Sequence, residues 1–251
     1  MSDLSPPVVI GGSGGSGTRV LAELLIMSGY YMGEHRNVSC DALDFFAFYD
    51  HWLNRYNFGR NVMSPLDESA MRDDFNLSLT RFKGAVSLSK NRAWGWKNPR
   101  SMLMLPFLNS VLSDVKFIHL VRDGRDMAWS KNKNQFEKHA GLVLSGAQKG
   151  LSSEAKAMRF WSESNMLVAA YGEDFMAERY IRVRFEDLCL NTEKTLCCLE
   201  LFLGRSVDGD EFSAFIHTPK SVGRWLDKSD SIQSRFVGHG EKAMRHFAYL
   251  D

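Results

Sequence analysis

Apolar residues along this chain fall either in short continuous runs or at helical spacing. The runs at residues 8–10, 115–121 and 180–185 have the length and the β-branched or aromatic content of strands. In residues 152–173, by contrast, apolar residues recur at the spacing of one helix face, which predicts an amphipathic helix. Strands that alternate with such helices are typical of an α/β protein with a parallel sheet.

The polar positions between these runs predict how the elements are connected. Asp123 is suited to cap a helix that begins near Gly124, and Ser130 is expected roughly two turns into that helix. Residues 137–153 are polar and rich in Gly and Ser, so we expect a loop there. His119 lies inside the second of the predicted strands and is expected to be a buried core histidine.

A run of small residues follows the first predicted strand and precedes a helix. Five glycines and two serines fill residues 11–17, and apolar residues return at helical spacing from Val20. Glycines let a ligand approach the backbone closely, and the N–H groups at the start of a helix favour an anion. The pattern predicts a cradle for a phosphate-like group, with hydroxyl donors and a fixed charge supplied by Ser13, Ser16, Thr18 and Arg19.

Three phosphate-binding motifs fit this loop in part. Residues 12–17 match the dinucleotide pattern GxGxxG; Glu34 is in range of the acidic residue this motif needs about 20 positions later, but no clear strand precedes it. Gly17 ends a kinase-type loop, GxxxxGK(S/T), but Thr18 stands in place of the lysine. Residues 15–19 fit the 5′-phosphosulfate loop of sulfotransferases except at the first position. A glycine-rich turn without a ligand is the remaining alternative.

Composition limits the possible partners and the location of the protein. The 251 residues are 44% hydrophobic with a net charge of +1, which favours a single α/β domain over 1–251 and no general nucleic-acid surface. The sequence has neither a signal peptide nor a long apolar span, so we expect no membrane span and a cytoplasmic protein. We expect the cysteines, which lack metal-ligand spacing, to be reduced core residues: Cys40, Cys189, Cys197 and Cys198.

Cations follow two further predicted strands. Trp94 and Trp96 alternate with smaller residues as in a strand, and Lys97 falls at its end, followed closely by Arg100. Arg122 follows the strand at 115–121. Because ligands of parallel sheets bind at the carboxyl ends of the strands, we expect these three cations to face the glycine-rich loop. Surface positions and ordinary salt bridges are the alternative.

These stretches, taken in order, resemble the sulfotransferases that use 3′-phosphoadenosine 5′-phosphosulfate (PAPS). Residues 15–19 resemble the loop for the 5′-phosphosulfate, and residues 96–100 resemble the strand end that carries a sulfate-contacting lysine. Residues 121–130, with Arg and Ser eight positions apart, resemble the 3′-phosphate motif. Residues 185–188 and 223–225 resemble a later strand end and a C-terminal loop that covers the cofactor.

The resemblance implies a three-layer, P-loop NTPase-like α/β fold with a central parallel β-sheet flanked by helices. It also implies transfer of a sulfuryl group from PAPS to a hydroxyl or amine, with adenosine 3′,5′-bisphosphate (PAP) as product and no metal. By the same resemblance, the expected cofactor-binding residues are Ser13, Gly14, Gly15, Ser16, Gly17, Thr18, Arg19, Lys97, Arg100, Arg122, Ser130, Arg224 and Trp225.

Catalysis in this family uses cations near the breaking bond and a carboxylate or histidine that takes the acceptor's proton. Lys97 and Arg19 are the expected catalytic cations. The expected bases, in order, are Glu34, His35 and Asp41.

One position departs from the family pattern. Where the family commonly has Lys or Arg before Ser-Gly-Thr, this chain has Gly15. Either Lys97, Arg19 and Arg100 share the work of that cation, or catalysis is weak, or the chain binds the nucleotide without turning it over. We expect that Lys97, Arg19 and Arg100 share this work, because the other anion-binding positions of the family pattern carry suitable residues.

The acceptor is not identified by these residues. A carbohydrate or another small hydroxyl compound is expected by analogy with the family alone. The alternatives are a nucleotide kinase or NTPase with a degenerate phosphate loop, a non-catalytic nucleotide- or glycan-binding relative, and a dinucleotide oxidoreductase. Thr18, in place of the loop lysine, argues against a kinase, whereas Gly15 supports the non-catalytic relative.

Overall fold

Four parallel strands form one sheet in the part of the chain that the structure describes. The structure is a computed structural model that describes residues 4–89, 91–144, 150–228 and 236–251. The strand order is β2-β1-β3-β4, and the strands are β1 (Val8–Gly12), β2 (Gly95–Lys97), β3 (Lys116–Val121) and β4 (Tyr180–Arg184). The predicted parallel α/β sheet is therefore confirmed.

The register brings the carboxyl ends of three strands together. Ile10 of β1 lies opposite Lys97 of β2, and Gly12 lies opposite Leu120 of β3. The chain therefore leaves β1 into the glycine-rich loop between the ends of its two neighbours. β1 is buried along its whole length, as expected for a central parallel strand covered on both faces.

Helices cover both faces of the sheet. The helices are α1 (Thr18–Met27), α2 (Phe46–Tyr56), α3 (Pro65–Leu88), α4 (Leu105–Val111), α5 (Gly124–Ala128), α6 (Asn134–Val143), α7 (Ser153–Phe175), α8 (Phe185–Leu190), α9 (Thr192–Leu203), α10 (Gly209–Phe215) and α11 (Glu241–His246). Short 3₁₀ helices span Leu43–Phe45, Asn57–Gly59, Pro99–Met104 and Ala177–Arg179.

Two of the three apolar clusters among the described residues lie on opposite faces of the sheet and give the fold its three layers. One cluster packs α2, α3 and α4 against the face of the sheet that carries Trp94, Trp96 and Phe117. The other packs α1, α8 and α9 against the opposite face, which carries Ile10 and Ile118. The three-layer arrangement of helices about a parallel sheet agrees with the P-loop-like fold expected from the sequence.

Two predicted connections differ from the structure. Residues 137–143, predicted as part of a loop, belong to α6, whose Phe136 ring packs edge-on against Phe160 of α7 at a centroid distance of 5.8 Å. The rest of that predicted loop includes residues 145–149, which lie outside the described residues. α5 ends at Ala128, so Ser130 lies just beyond the helix rather than about two turns into it.

The predicted burial of the cysteines was wrong for two of the four. Cys197 and Cys198 are exposed on α9, and Cys40 and Cys189 are half-buried. The buried face of α9 is formed by Leu196, Leu199 and Leu203, so the helical period turns the two adjacent thiols toward solvent. All four cysteines are free thiols.

Candidate active site

A cleft of about 350 Å³ opens at the carboxyl ends of the central strands. Its walls come from the glycine-rich loop, the start of α1, the ends of β2 and β3, and the segment after α10. The residues that line it are Gly14, Gly15, Gly17, Thr18, Arg19, Val20, Glu23, Ser39, Asp41, Lys97, Pro99, Arg122, Asn132, Phe185, Phe215, Ile216, His217 and Pro219. Seven of the expected cofactor-binding residues are therefore in one place.

Close packing fixes the shape of the glycine-rich loop. Gly17 has φ +99°, and a Cβ atom there would lie 2.3 Å from the Phe185 ring. The Ser16 side chain is fully buried beneath the loop, and its Oγ has no hydrogen-bond partner among the described residues. A buried polar atom without a partner is uncommon in proteins.

Two amide side chains that the sequence did not single out hold this loop from below. The backbone N–H of Gly14 donates a hydrogen bond to Gln135 Oε1 at 2.5 Å. The Asn165 amide donates to Ser13 Oγ at 3.2 Å. Ser13 and Ser16 therefore lie behind the cleft surface rather than on it, while Gly14 is fixed to α6.

The structure explains why a cation would not fit easily in place of Gly15. Gly15 has φ +92°, a region that side chains rarely adopt, and a Cβ atom there would lie 3.3 Å from Ser130 Oγ. Ser130 itself is buried, and its Oγ accepts a hydrogen bond from the backbone N–H of Asn132 at 3.2 Å. Ser130 thus supports the loop from behind and does not line the cleft.

Lys97 forms a buried ion pair at the end of β2. Its side chain is 2% exposed, and Nζ donates to the backbone carbonyl of Ser39 at 2.6 Å and to Asp41 Oδ1 at 2.5 Å. Asp41, the third of the expected bases, is held on its second oxygen by the Asn37 amide at 2.9 Å. Burial lowers the pKa of Lys97 below its ordinary value, although the adjacent Asp41 acts in the opposite direction.

Arg122 forms a second buried ion pair at the end of β3. Its Nη2 donates to Asp126 Oδ2 at 3.0 Å, and both side chains are almost inaccessible to solvent. The same nitrogen donates to the backbone carbonyl and the hydroxyl of Ser221, and Gly223 N–H donates to Asp126 Oδ2 at 3.0 Å. Arg122 Nε is buried without a partner in the described part of the chain.

The expected covering residues lie in this C-terminal segment but not on the cleft surface. Arg224 donates to the backbone carbonyls of Ser221, at 3.0 Å, and Trp129, at 3.4 Å. The Arg125 guanidinium lies 3.6 Å from the centroid of the Trp225 ring. Arg224 and Trp225 therefore fasten the segment beside Arg122, and neither lines the cleft.

Three other expected site residues lie away from the first cleft. Arg100 forms an ion pair with Asp50 and lies 4.6 Å from the centroid of the Phe46 ring, facing a second cleft. Glu34 and His35 are exposed and line neither cleft. Of the three expected bases, the structure places Asp41 on the cleft walls.

His119 is a core histidine, as predicted. It is fully buried, with Nδ1 2.7 Å from the hydroxyl of Tyr180 and Nε2 2.9 Å from Asn165 Oδ1. Burial lowers the pKa of His119 to about 3, so the ring is neutral at pH 7. The neutral ring donates from Nε2 to the amide oxygen, which leaves Nδ1 to accept from the tyrosine hydroxyl.

Two features relevant to other functions are missing from the described ranges. No group of three or more His, Cys, Asp or Glu side chains is arranged to hold a metal ion within those ranges. The helices in them are also too short or too polar to cross a bilayer.

Comparison with known proteins identifies the family. The sequence model described as the sulfotransferase family matches residues 6–209. This chain belongs to the sulfotransferase family. Membership supports sulfuryl transfer as the general activity of the protein and makes it an enzyme of the transferase class. Among curated protein sequences, none matches this sulfotransferase.

Solved sulfotransferase structures share the fold of this one. The sulfotransferase domain from the curacin biosynthetic pathway has a TM-score of 0.63 and 14% identity, covering 99% of this chain and 99% of that chain. The domain from the Synechococcus PCC 7002 olefin synthase has a TM-score of 0.57 and 17% identity, covering 100% and 98%. The sulfotransferase from Alicyclobacillus acidocaldarius has a TM-score of 0.52 and 16% identity, covering 97% of each. At this identity the likeness establishes the fold.

Proposed function

We propose that this sulfotransferase uses PAPS as donor and a small molecule with a hydroxyl, or an amine, as acceptor. For an alcohol ROH the products are PAP, the sulfate ester R–O–SO₃⁻ and the hydroxyl proton. The observation that carries the proposal is one cleft that joins the glycine-rich loop to two buried cations, Lys97 and Arg122.

Four free cysteines are consistent with a reducing compartment, and we propose that the protein is located in the cytoplasm.

The residues present fit a nucleotide with anionic groups at two ends. Arg122 Nε, at the end of β3, is a buried donor without a partner in the described ranges, and the glycine-rich loop lines the same cleft. We assign residues 14–18 and Lys97 to the 5′-phosphosulfate, and Arg122 to the 3′-phosphate. The apolar side chains of Phe215 and Ile216 line the same cleft and are available to pack against the adenine.

The chain's own residues supply charge and a proton acceptor to the reaction. When bound, PAPS supplies the activated sulfuryl group. Lys97 holds a positive charge at the wall of the cleft, in a buried position where its electrostatic effect is strong. Asp41 keeps Lys97 Nζ in place and is the proton acceptor that we propose for the hydroxyl of the acceptor.

Calorimetric titration with PAP, with AMP and magnesium-ATP as controls, tests the cofactor assignment. We expect PAP to bind much more tightly than AMP, because only PAP carries the group assigned to Arg122. Equal or tighter binding of magnesium-ATP would overturn the assignment. Tight PAP binding without turnover of PAPS, across alcohols and amines, would favour the non-catalytic relative that Gly15 suggests.

A set of three variants tests the proton acceptor. We expect Asp41→Asn to lower the turnover rate about 100-fold or more, since general-base catalysis contributes on that order. Glu34→Gln and His35→Gln serve as matched controls and should retain wild-type turnover, because both residues are exposed outside the clefts. If a control variant loses turnover while Asp41→Asn remains active, the proton acceptor is Glu34 or His35 instead.

A further inference from the structure

A second cleft of about 320 Å³ shares a wall with the first. Both clefts are bordered by Gly14, Ser39, Asp41, Pro99 and Asn132. A molecule in the second cleft would therefore lie beside the carboxylate that pairs with Lys97. The volume of the second cleft is within the range of about 300–1,000 Å³ that is typical of sites for small molecules.

Amide side chains dominate the lining of this second cleft. Five of the described lining residues carry a side-chain amide: Asn37, Asn98, Asn132, Asn134 and Gln135. Phe46 and Pro99 are the apolar side chains among the described residues that line it. Asn37 and Gln135 already form hydrogen bonds within the protein, to Asp41 and to Gly14 N–H. An amide both donates and accepts hydrogen bonds, as a hydroxyl group does, so the other amides of this lining match a ligand with several hydroxyl groups.

Asn98 carries a hydrogen-bond donor at this wall that the described residues leave unused. The side chain is 1% exposed, and its Oδ1 accepts from the backbone N–H of Arg100 at 3.0 Å. Its Nδ2 is buried and has no partner in the described chain. A buried amide nitrogen in this position indicates a ligand acceptor atom, because leaving it unbonded is costly.

The charges of the second cleft are mostly neutralised within the protein. Asp50 pairs with Arg100, and Asp41 pairs with Lys97. Burial lowers the pKa of His139 to about 4, so this ring is neutral at pH 7. Apart from the exposed Lys138, little net charge remains among the described lining residues, so the cleft does not select strongly for a charged ligand.

We propose that the second cleft is the acceptor site and that it takes an uncharged, hydroxyl-rich alcohol, such as a glycoside or another polyol. The proposal rests on the proposed function, which places the proton acceptor Asp41 on the shared wall. A sterol, a phenol or a long-chain alcohol would leave the buried Asn98 Nδ2 donor without a hydrogen-bond partner, and such sites reject analogues that lack the matching polar groups.

Saturation-transfer NMR on the full chain tests the proposal directly. The probes are methyl glycosides of glucose, galactose, mannose and N-acetylglucosamine, with 4-nitrophenol and 1-decanol as apolar probes. Each is measured with and without saturating PAP. We expect at least one glycoside to give a signal that PAP does not displace, and we expect that signal to exceed those of the two apolar probes.

A double variant locates the binding in the second cleft. Asn134 and Lys138 are exposed, lie one turn apart on α6, and line the second cleft but not the first. Asn134→Leu with Lys138→Leu should reduce the glycoside signal about fivefold or more, on the scale of two lost hydrogen bonds. The matched control is Arg72→Leu with Asn76→Leu, an exposed pair at the same spacing on α3, which should leave the signal unchanged.

The outcomes separate this proposal from the proposed function. Glycoside binding that is absent, or that is unchanged in the α6 double variant, would overturn the polyol assignment while PAP binding stands. Preferential binding of 4-nitrophenol or 1-decanol would do the same. Failure of PAP to bind, with glycoside binding lost only in the α6 variant, would support the cleft assignment and contradict the donor assignment instead.

Discussion

The strands on either side of β1 both end in a buried cation, but the two cations are held in different ways. Lys97, the last residue of β2, pairs with Asp41, which comes from a loop 56 residues earlier in the chain. Arg122, after β3, pairs with Asp126 only four residues later. Its guanidinium also donates a hydrogen bond to the backbone carbonyl of Ser221, which is 99 residues away.

The difference in chemistry between these two pairs indicates a difference in role. Lys97 presents a compact ammonium on a flexible stem, whereas Arg122 presents a planar guanidinium that remains protonated. Asp41 borders both clefts, while Asp126 is completely buried. We infer that the β2 end is suited to the reaction itself and the β3 end to recognition by a constant charge.

The largest effect is expected at the β2 end. Lys97→Met should lower the turnover number by about 10²–10³, the scale of losing one preorganised electrostatic contact, with a much smaller change in PAP affinity. Lys116→Met is the control, because Lys116 lies at the opposite end of the sheet and donates to the Phe202 backbone carbonyl. Steady-state kinetics with PAPS measures both variants. A Lys97→Met enzyme with wild-type turnover would remove the distinction between the two ends.

At the β3 end we expect a loss of affinity rather than of turnover. Arg122→Ala removes a charged contact, so PAP affinity should fall about 10- to 100-fold and the preference for PAP over AMP should disappear. Because this variant also leaves Asp126 buried and unpaired, it is paired with Arg122→Ala/Asp126→Ala, which removes both charges. Calorimetry gives the ratio of PAP to AMP affinities. A wild-type ratio in the folded double variant would contradict the assignment of Arg122.

The loop between the two ends depends on backbone shape rather than charge. Gly17→Ala should lower the free energy of unfolding by about 1–3 kcal/mol, because the new methyl group meets the Phe185 ring. Gly84→Ala is the matched control: nothing lies near its Cβ position within α3, so it should stabilise by about 0.5–1 kcal/mol. Thermal unfolding measures both variants. A Gly17→Ala protein as stable as the wild type would contradict this account of the loop.

The smallest effect concerns pH and the core beneath the β3 end. The pKa of His119 is about 3 in the folded state, against an ordinary value of 6.5, so the unfolded state binds more protons between these values. The free energy of unfolding therefore falls as the pH drops below 6.5, with a slope approaching about 1.4 kcal/mol per pH unit.

His119→Gln removes this titration and should make the acid dependence less steep. Denaturant unfolding at a series of pH values between 7 and 5 measures it, with the exposed His217→Gln as control. An unchanged slope in His119→Gln would show that other groups cause the loss of stability in acid.

Much of the fold was predictable because its determinants are local. The apolar runs of β1 and β3 are continuous, since strands covered on both faces have no polar side, and the helix at α7 shows a clear period. The position of Arg122 followed from the run of β3, and that of Lys97 followed from the alternation of Trp94 and Trp96. The role of each remains a prediction, although the structure places both in one cleft.

Some features were missed because they depend on contacts between distant parts of the chain. α6 forms where a loop was expected because it packs on α7, a contact that its own sequence, which includes Gly141, does not reveal. Gln135 carried no motif that could have identified it as a support for Gly14. Asn98, in contrast, stands directly after Lys97 in a stretch already singled out, and could have been included on position alone.

The sequence by itself determined the class of fold, the glycine-rich loop and the two cations beside it, because strand periodicity and backbone freedom are properties of neighbouring residues. Only the tertiary structure decided that Asp41, rather than Glu34 or His35, borders the clefts, and that a second, amide-lined cleft adjoins the first. Those features depend on how loops far apart in sequence pack against one another. The interactions that stabilise these features are burial and pairing, which exist only in the folded chain.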